Sequence, residues 1–288
     1  MKRVLVFGAS GQIGESLLPL LRESSCDALA VSRKQRAATA GVAWIVGALD
    51  EALSIPDGNL DAVFSLGPLD VFARWLERTG PIAPRVIAFG STSVATKSGS
   101  TDPSERNVSA RLRVAEDGLF SFGAKHGVAV TVLRPTLIYG RGRDRTLSRI
   151  AALARRYGVF ALPRNATGLR QPVHADDLAV AALAASQSPG LSGRAYDVPG
   201  GETLTYIEMV ARTLAVLQPR PRLLRVPSLI FRAMLGSAQT LGLIDAMSPA
   251  MVSRLDTDLV FDATDARRDF AYAPRAFTPD AAMFTPKT

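Results

Sequence analysis

Val4-Leu5-Val6-Phe7-Gly8-Ala9-Ser10-Gly11-Gln12-Ile13-Gly14 is the stretch from which the fold can be read. Four consecutive apolar residues read as a strand buried on both faces. Glycines at 8, 11 and 14 follow at once, and the next dozen residues place Ile13, Leu17, Leu20 and Leu21 on one helical face. Strand, glycine turn and amphipathic helix in this order form a phosphate-binding loop. Gly8 allows the tight turn, Gly11 lets the backbone approach a pyrophosphate, and Gly14 lets helix and strand pack closely. The helix N-terminus then offers free N–H groups and a positive dipole to the phosphates. A tight turn without a ligand is the plain alternative; the position between a buried strand and an amphipathic helix argues against it.

Working outward, strands are expected at 28–31, 42–46, 62–66, 86–89 and 128–133, with helices at 12–23, 69–78 and 104–126. This repeated β-α-β order predicts an α/β fold, a Rossmann-type doubly wound parallel sheet, over residues 1–167. Beyond it, prolines and arginines punctuate the chain. Helices are expected at 146–157, 176–187, 205–217 and 228–243, with one short strand at 195–198. Residues 168–288 thus read mainly as a small mixed C-terminal substrate lobe without a second sheet, some of its segments returning to the first domain.

The 288 residues carry 34 Lys plus Arg against 26 Asp plus Glu, a net charge of +8, and only five of the cations are lysine. The charges are spread, with no basic tail or aromatic-interleaved basic stripe, so nucleic acid is not an expected partner. Arg141, Arg143, Arg145, Arg149, Arg155, Arg156, Arg164 and Arg170 form one dense segment, which suits an anionic small molecule. A lone Cys26 excludes an internal disulfide, and two histidines beside it leave no donor set for a metal site. No apolar run approaches the ~20 residues of a membrane span. The longest mostly apolar stretch, 223–244, is broken by Arg225, Pro227 and Arg232. Its Leu229, Phe231, Met234 and Leu235 either pack into a core or face a membrane surface, and core packing is the expectation. Four apolar residues after Met1-Lys2-Arg3 are too few for a signal-peptide core, so a soluble cytoplasmic protein is expected.

The glycine pattern at this position resembles the extended and atypical short-chain dehydrogenase/reductase superfamily, which includes the nucleotide-sugar epimerases and dehydratases. Leu133-Arg134-Pro135-Thr136-Leu137-Ile138-Tyr139-Gly140 is similar to the superfamily's segment leading from the sixth strand to the substrate region. Residues 170–179, Arg-Gln-Pro-Val-His-Ala-Asp-Asp-Leu-Ala, and Asp197-Val198-Pro199-Gly200-Gly201-Glu202 are similar to later segments of it. The resemblance implies a nicotinamide cofactor held by Gly8, Ser10, Gly11, Gln12, Ile13, Gly14, Leu66, Gly67 and Pro135, and by the end of the second strand. That strand ends Val31-Ser32-Arg33-Lys34. It lacks the acid that would hold a ribose 2′-hydroxyl and offers two cations for a 2′-phosphate. Ser32, Arg33 and Lys34 therefore favour NADP(H), with NAD(H) possible; a solvated loop that happens to be basic is the alternative. The usual Gly-Asp-Leu after the third strand is replaced by Gly47-Ala48-Leu49.

The superfamily's chemistry rests on Tyr-x-x-x-Lys, in which the tyrosine moves a proton as hydride moves at the nicotinamide. Here the five tyrosines, 139, 157, 196, 206 and 272, are followed four residues later by Arg143, Ala161, Gly200, Val210 and Ala276. Aligned by Ala115-Glu116, Val108 and Leu112 stand where the pair belongs. Thr92 falls where the superfamily carries its catalytic Ser or Thr, although a hydroxyl at a strand end also satisfies backbone groups. Tyr139, Lys97 and Arg111 are the other candidates near a cleft, Tyr139 being the one favoured as catalytic. His174 reads as architectural, and Asp176 as a cap or first-turn acid. Arg170 matches the position that contacts a substrate diphosphate, and Arg254 loosely resembles a second such arginine. Surface salt bridging is the alternative for both. Two functions remain open: an NADP(H)-dependent oxidoreductase or epimerase-like enzyme acting on a nucleotide sugar or other anionic small molecule, or an NADP(H)-occupied sensor or assembly protein without hydride transfer. In the resembling superfamily, homodimers form through helices on the sheet flank.

Overall fold

A computed structural model describes residues 2–51, 53–144, 146–240 and 252–284. The first half of the chain is built from β1 (Lys2–Phe7), α1 (Gln12–Glu23), β2 (Cys26–Ser32), β3 (Val42–Val46), β4 (Ala62–Ser65) and α2 (Leu69–Thr79). It continues through β5 (Arg85–Phe89), the single turn α3 (Ser93–Thr96), α4 (Pro103–His126) and β6 (Ala129–Pro135). The lobe begins with β7 (Ile138–Tyr139), α5 (Leu147–Tyr157), β8 (Val159–Pro163), β9 (Leu169–Arg170) and β10 (Val173–His174). Then come α6 (Ala175–Gln187), β11 (Arg194–Val198), β12 (Leu204–Thr205), α7 (Tyr206–Ala215), β13 (Arg222–Val226), α8 (Ser228–Thr240) and α9 (Thr264–Phe270).

Seven strands form one parallel sheet in the order β11-β6-β5-β4-β1-β2-β3. The order reverses between β1 and β4, so the crevice beyond their C-terminal ends is the topological switch point. Burial on both faces explains the uninterrupted apolar strands. On one face, α1 and α6 cover Val4, Val6, Ala28 and Phe64; on the other, α2 and α4 cover Leu5, Phe7, Val63 and Val86. Helix α4 begins at the Asp102 cap, whose carboxylate accepts from Ser104 N at 2.9 Å, and ends at Gly127.

The strand expected at 195–198 joins the large sheet: β11 lies against β6, from Arg194 opposite Thr131 to Val198 opposite Pro135. A helix intervenes first: α6 packs on α1 and carries the chain back to the sheet edge. The lobe itself holds three two-stranded ladders, β7–β10, β9–β12 and β8–β13, around its own core of Tyr139, Leu147, Met209, Phe277 and neighbours. Of the helix expected at 228–243, residues 241–243 lie outside the described residues, as does Arg145 of the arginine segment. Among the described residues no helix is long and apolar enough to cross a membrane, and no group of three or more His, Cys, Asp or Glu could hold a metal ion.

Candidate nucleotide-binding site

The glycine loop closes the β1/β4 crevice from one side. Gly8 has φ +72°, and a Cβ there would stand 3.0 Å from the Leu66 carbonyl carbon. Leu66 N in turn donates to Phe7 O at 3.0 Å, which brings the end of β4 against the loop, while Gly67 stands open. Gly11 N donates to Gly8 O at 2.8 Å, and Gly11 caps α1 with no side chain accepting from its first turn. Those N–H groups are left for a ligand. A Cβ at Gly14 would lie 2.4 Å from Ala9 O, so the helix seats on the loop only without a side chain there. Ile13 is buried in the core. Gln12 Oε1 and Ser65 Oγ, at the start of α1 and the end of β4, are buried with no hydrogen-bond partner. Two orphaned polar atoms beside an uncapped helix fit a polar ligand in this crevice.

A second layer braces the loop from the segment after β7. Arg143 donates to the Ser10 carbonyl and pairs with Glu15 at 2.7 Å. Arg141 pairs with Asp176, which also accepts from Ser16 Oγ at 2.6 Å. Burial would raise the Asp176 pKa, but the bonds from Ser16 and Arg141 override it and hold it below the ordinary value. The arginine density of this segment was the only sequence signal for the brace.

At the end of β2, Ser32 is buried and its Oγ accepts from Lys34 N at 3.2 Å. Arg33 and Lys34 are exposed, and neither side chain forms an ion pair among the described residues. Arg36 instead lies over the Trp44 ring, 5.2 Å from its centroid.

Val108 and Leu112, the residues that the sequence alignment sets against the absent pair, both lie on α4. Val108 is 37% exposed, and Leu112 packs against the α2/α4 core. Arg111 is tied to Asp70 through Nε at 3.2 Å and through a second nitrogen. Thr92 is buried; its N and its Oγ1 both donate to Pro135 O at 3.2 Å, joining β6 to the turn after β5. Tyr139 lies in the lobe core, fully buried between the His174 and Phe277 rings at 5.0 and 4.8 Å. Burial pushes its hydroxyl up to about 12, so it keeps its proton at neutral pH. His174 caps α6: its Nδ1 accepts from Asp176 N at 3.1 Å, and burial lowers its pKa, keeping the ring neutral.

Arg170 and Arg254 come together, but each is engaged within the protein. Arg170 is buried, donates to the carbonyls of Leu169 and Thr257 at 2.7 Å and to that of Arg254, and lies over the Tyr206 ring. Arg254 reaches out of the lobe to pair with Glu105 on the first turn of α4. Glu105 is itself buried and also accepts from Ser100 Oγ at 2.7 Å. Sequence reasoning did not single out Glu105, because a glutamate in a first helical turn needs no partner to be explained.

The NAD dependent epimerase/dehydratase family matches residues 65–198. The chain is 28% identical over 151 residues to the uncharacterized protein YbjS of Escherichia coli (strain K12), covering 50% of this chain and 45% of that protein. It is 30% identical over 105 residues to the mitochondrial NADH dehydrogenase [ubiquinone] 1 alpha subcomplex subunit 9 of Arabidopsis thaliana, covering 36% of this chain and 26% of that one. The chain thus matches less than half the length of either relative. Its fold is that of UDP-glucuronic acid 4-epimerase from Bacillus cereus, solved in complex with NAD: TM-score 0.70, 12% identity, 98% of this chain and 96% of that one covered. The resemblance to the short-chain dehydrogenase/reductase superfamily is supported by the family match and by this fold.

Proposed function

We propose that this chain, built on the short-chain dehydrogenase/reductase plan, holds NADP(H) in the β1/β4 crevice and works through nucleotide occupancy, as a redox sensor or assembly subunit, without the superfamily's proton relay. The glycine loop with Ser10, Gln12 and Ile13 would receive the pyrophosphate, Arg33 and Lys34 the 2′-phosphate, and Leu66, Gly67 and Pro135 the remaining length of the dinucleotide. A bound nicotinamide nucleotide supplies hydride chemistry, which needs a partner group to move the proton. The observation that carries the reading is the α4 face, where Val108 and Leu112 offer no titratable atom. The kinship with a mitochondrial NADH dehydrogenase subunit is in keeping with an assembly role.

The second reading is an enzyme acting on a nucleotide sugar or other anionic small molecule, with Thr92 as its hydroxyl and Arg170 and Arg254 toward the substrate. The epimerase-like fold and the basic lobe favour it. The engagement of both arginines inside the protein counts against it. Calorimetric titration with NADPH and NADH, followed by product analysis of UDP-sugars incubated with the protein and NADP+ or NAD+, separates the two. NADPH binding with the sugars left unchanged is expected. Conversion of a UDP-sugar, with or without net reduction of the nucleotide, would establish the second reading, and absence of binding by either nucleotide would overturn both.

A further inference from the structure

Helix α8 divides its apolar residues between two sides. Phe231 is buried in the lobe core and Leu235 packs against it, while Ser228 Oγ donates to Asn165 Oδ1 at 2.7 Å and fixes the helix start. The opposite side carries Leu229, 80% exposed, Ile230, 52%, and Met234, 45%. At 100° per residue these three, with exposed Ala233, share one face, and Arg232 stands at its rim. Beside it the β8–β13 ladder exposes Leu224, and Arg225 lies opposite Leu162 in its register.

The segments that build this face carry charge of one sign, and the acid nearest the start of α8, Asp256, accepts from Asn165 Nδ2 at 3.3 Å. No Asp or Glu occurs between Glu208 and Asp245, nor between Asp144 and Asp176, the two stretches that contain α8, β13 and β8. Arg164, Arg220, Arg222, Arg225 and Arg232 are exposed. None of their side chains forms an ion pair or hydrogen bond among the described residues. Several exposed arginines elsewhere do find acids, as Arg212 does with Glu202 at 2.8 Å and Arg275 with Asp177 at 2.8 Å. A helix with one apolar side in the protein, a second outside it, and an uncompensated guanidinium fringe is a surface for an anionic bilayer. The apolar face enters the headgroup boundary, and the arginines meet lipid phosphates by their forked donors.

We propose that the exposed face of α8, with the arginines of β13, docks the protein peripherally on a membrane rich in anionic lipid. This surface is independent of the nucleotide crevice. The test is co-sedimentation of the full chain with vesicles of phosphatidylglycerol mixed with phosphatidylcholine, and with phosphatidylcholine alone. Binding to the anionic vesicles, at least tenfold weaker on neutral ones and weakened by salt, is expected. Leu229→Asp/Met234→Asp and Arg222→Ala/Arg225→Ala should each reduce it tenfold or more, while Val114→Asp, at an exposed apolar position on α4, leaves it unchanged. Because loss of binding can follow misfolding, Leu229→Trp adds a positive readout, a blue shift on anionic vesicles in the difference between its emission and that of the native chain, which carries Trp44 and Trp75. No partition of the native chain, equal partition onto both vesicles, unchanged binding of the α8 variant, or an unshifted emission from Leu229→Trp would each overturn the proposal.

Discussion

Arg254 and Glu105, 149 residues apart in the chain, form an ion pair that joins the C-terminal lobe to the first turn of α4. The pair does not stand alone. Arg170 grips the backbone carbonyls of Arg254 and Thr257, so the arginine that reaches across is itself held from behind. The arrangement is a strut between the two halves of the molecule.

A double-mutant cycle on Glu105→Gln and Arg254→Met should therefore show coupling of about 1–2 kcal/mol in urea unfolding, below the range for a wholly buried pair because Arg254 keeps some solvent contact. Additive effects would mean that the strut carries no stability.

The same carboxylate gives a pH signature. Burial alone would raise the Glu105 pKa, but the bonds from Arg254 and Ser100 outweigh it and leave it below the ordinary glutamate value. Its contribution is then complete above the unfolded-state pKa and is lost as pH falls through the folded one. Glu105→Gln should be less stable than the native chain at neutral pH, and the gap should close in acid, as followed by denaturation midpoints across pH.

Thr92→Val removes a hydroxyl that donates to Pro135 O, while the Thr92 N–H bond to the same oxygen remains. A loss of about 0.5–1.5 kcal/mol in chemical denaturation is expected, with nucleotide binding retained. A drop in turnover out of proportion to this loss would make Thr92 a catalytic group.

Gly14→Ala drives a methyl into the Ala9 backbone. The helix must shift, at a cost of about 1–3 kcal/mol, and the loop with it. Thermal unfolding should fall, and nucleotide affinity with it. Gly67→Ala, where a Cβ meets nothing within 4 Å, serves as the tolerant control for stability.

Arg33→Ala should weaken NADPH by about tenfold or more in calorimetry and leave NADH nearly unchanged. Equal weakening of both would move Arg33 away from the 2′-phosphate.

The parts legible in the sequence are those governed by neighbours along the chain. Phe7 to Gly14 announces strand, turn and helix because each residue's conformation depends on the next few. The long helix ending before Gly127 is legible for the same reason, although sequence reasoning did not single out its cap, Asp102. The missing tyrosine and lysine are legible because that motif is one helical turn long. Tyr139 reads as a cleft residue because a tyrosine after a strand looks available; only the rings of His174 and Phe277, from distant segments, enclose it. Arg170 and Arg254 have the right residue type for a diphosphate, but the Thr257 and Arg254 carbonyls that hold the one and the Glu105 carboxylate that holds the other come from elsewhere in the chain. In α8, the periodicity marks apolar positions without saying which side the lobe would take, and Phe231 rather than Leu229 turned inward.

The last strand of the sheet is translated only after the chain has left for the lobe and come back. Until residue 198 has emerged from the ribosome, β6 has an open edge, and until α6 has formed, the outer side of α1 lacks its cover. A fragment ending at residue 167 would present both at once, the one inviting edge-to-edge association and the other wetting an apolar seam. Residue 167 is thus a poor place to cut the polypeptide. Expressed in two pieces, it should aggregate unless the pieces are made together, and a nascent chain stalled before α6 should depend on chaperones in a way that one stalled after β11 does not.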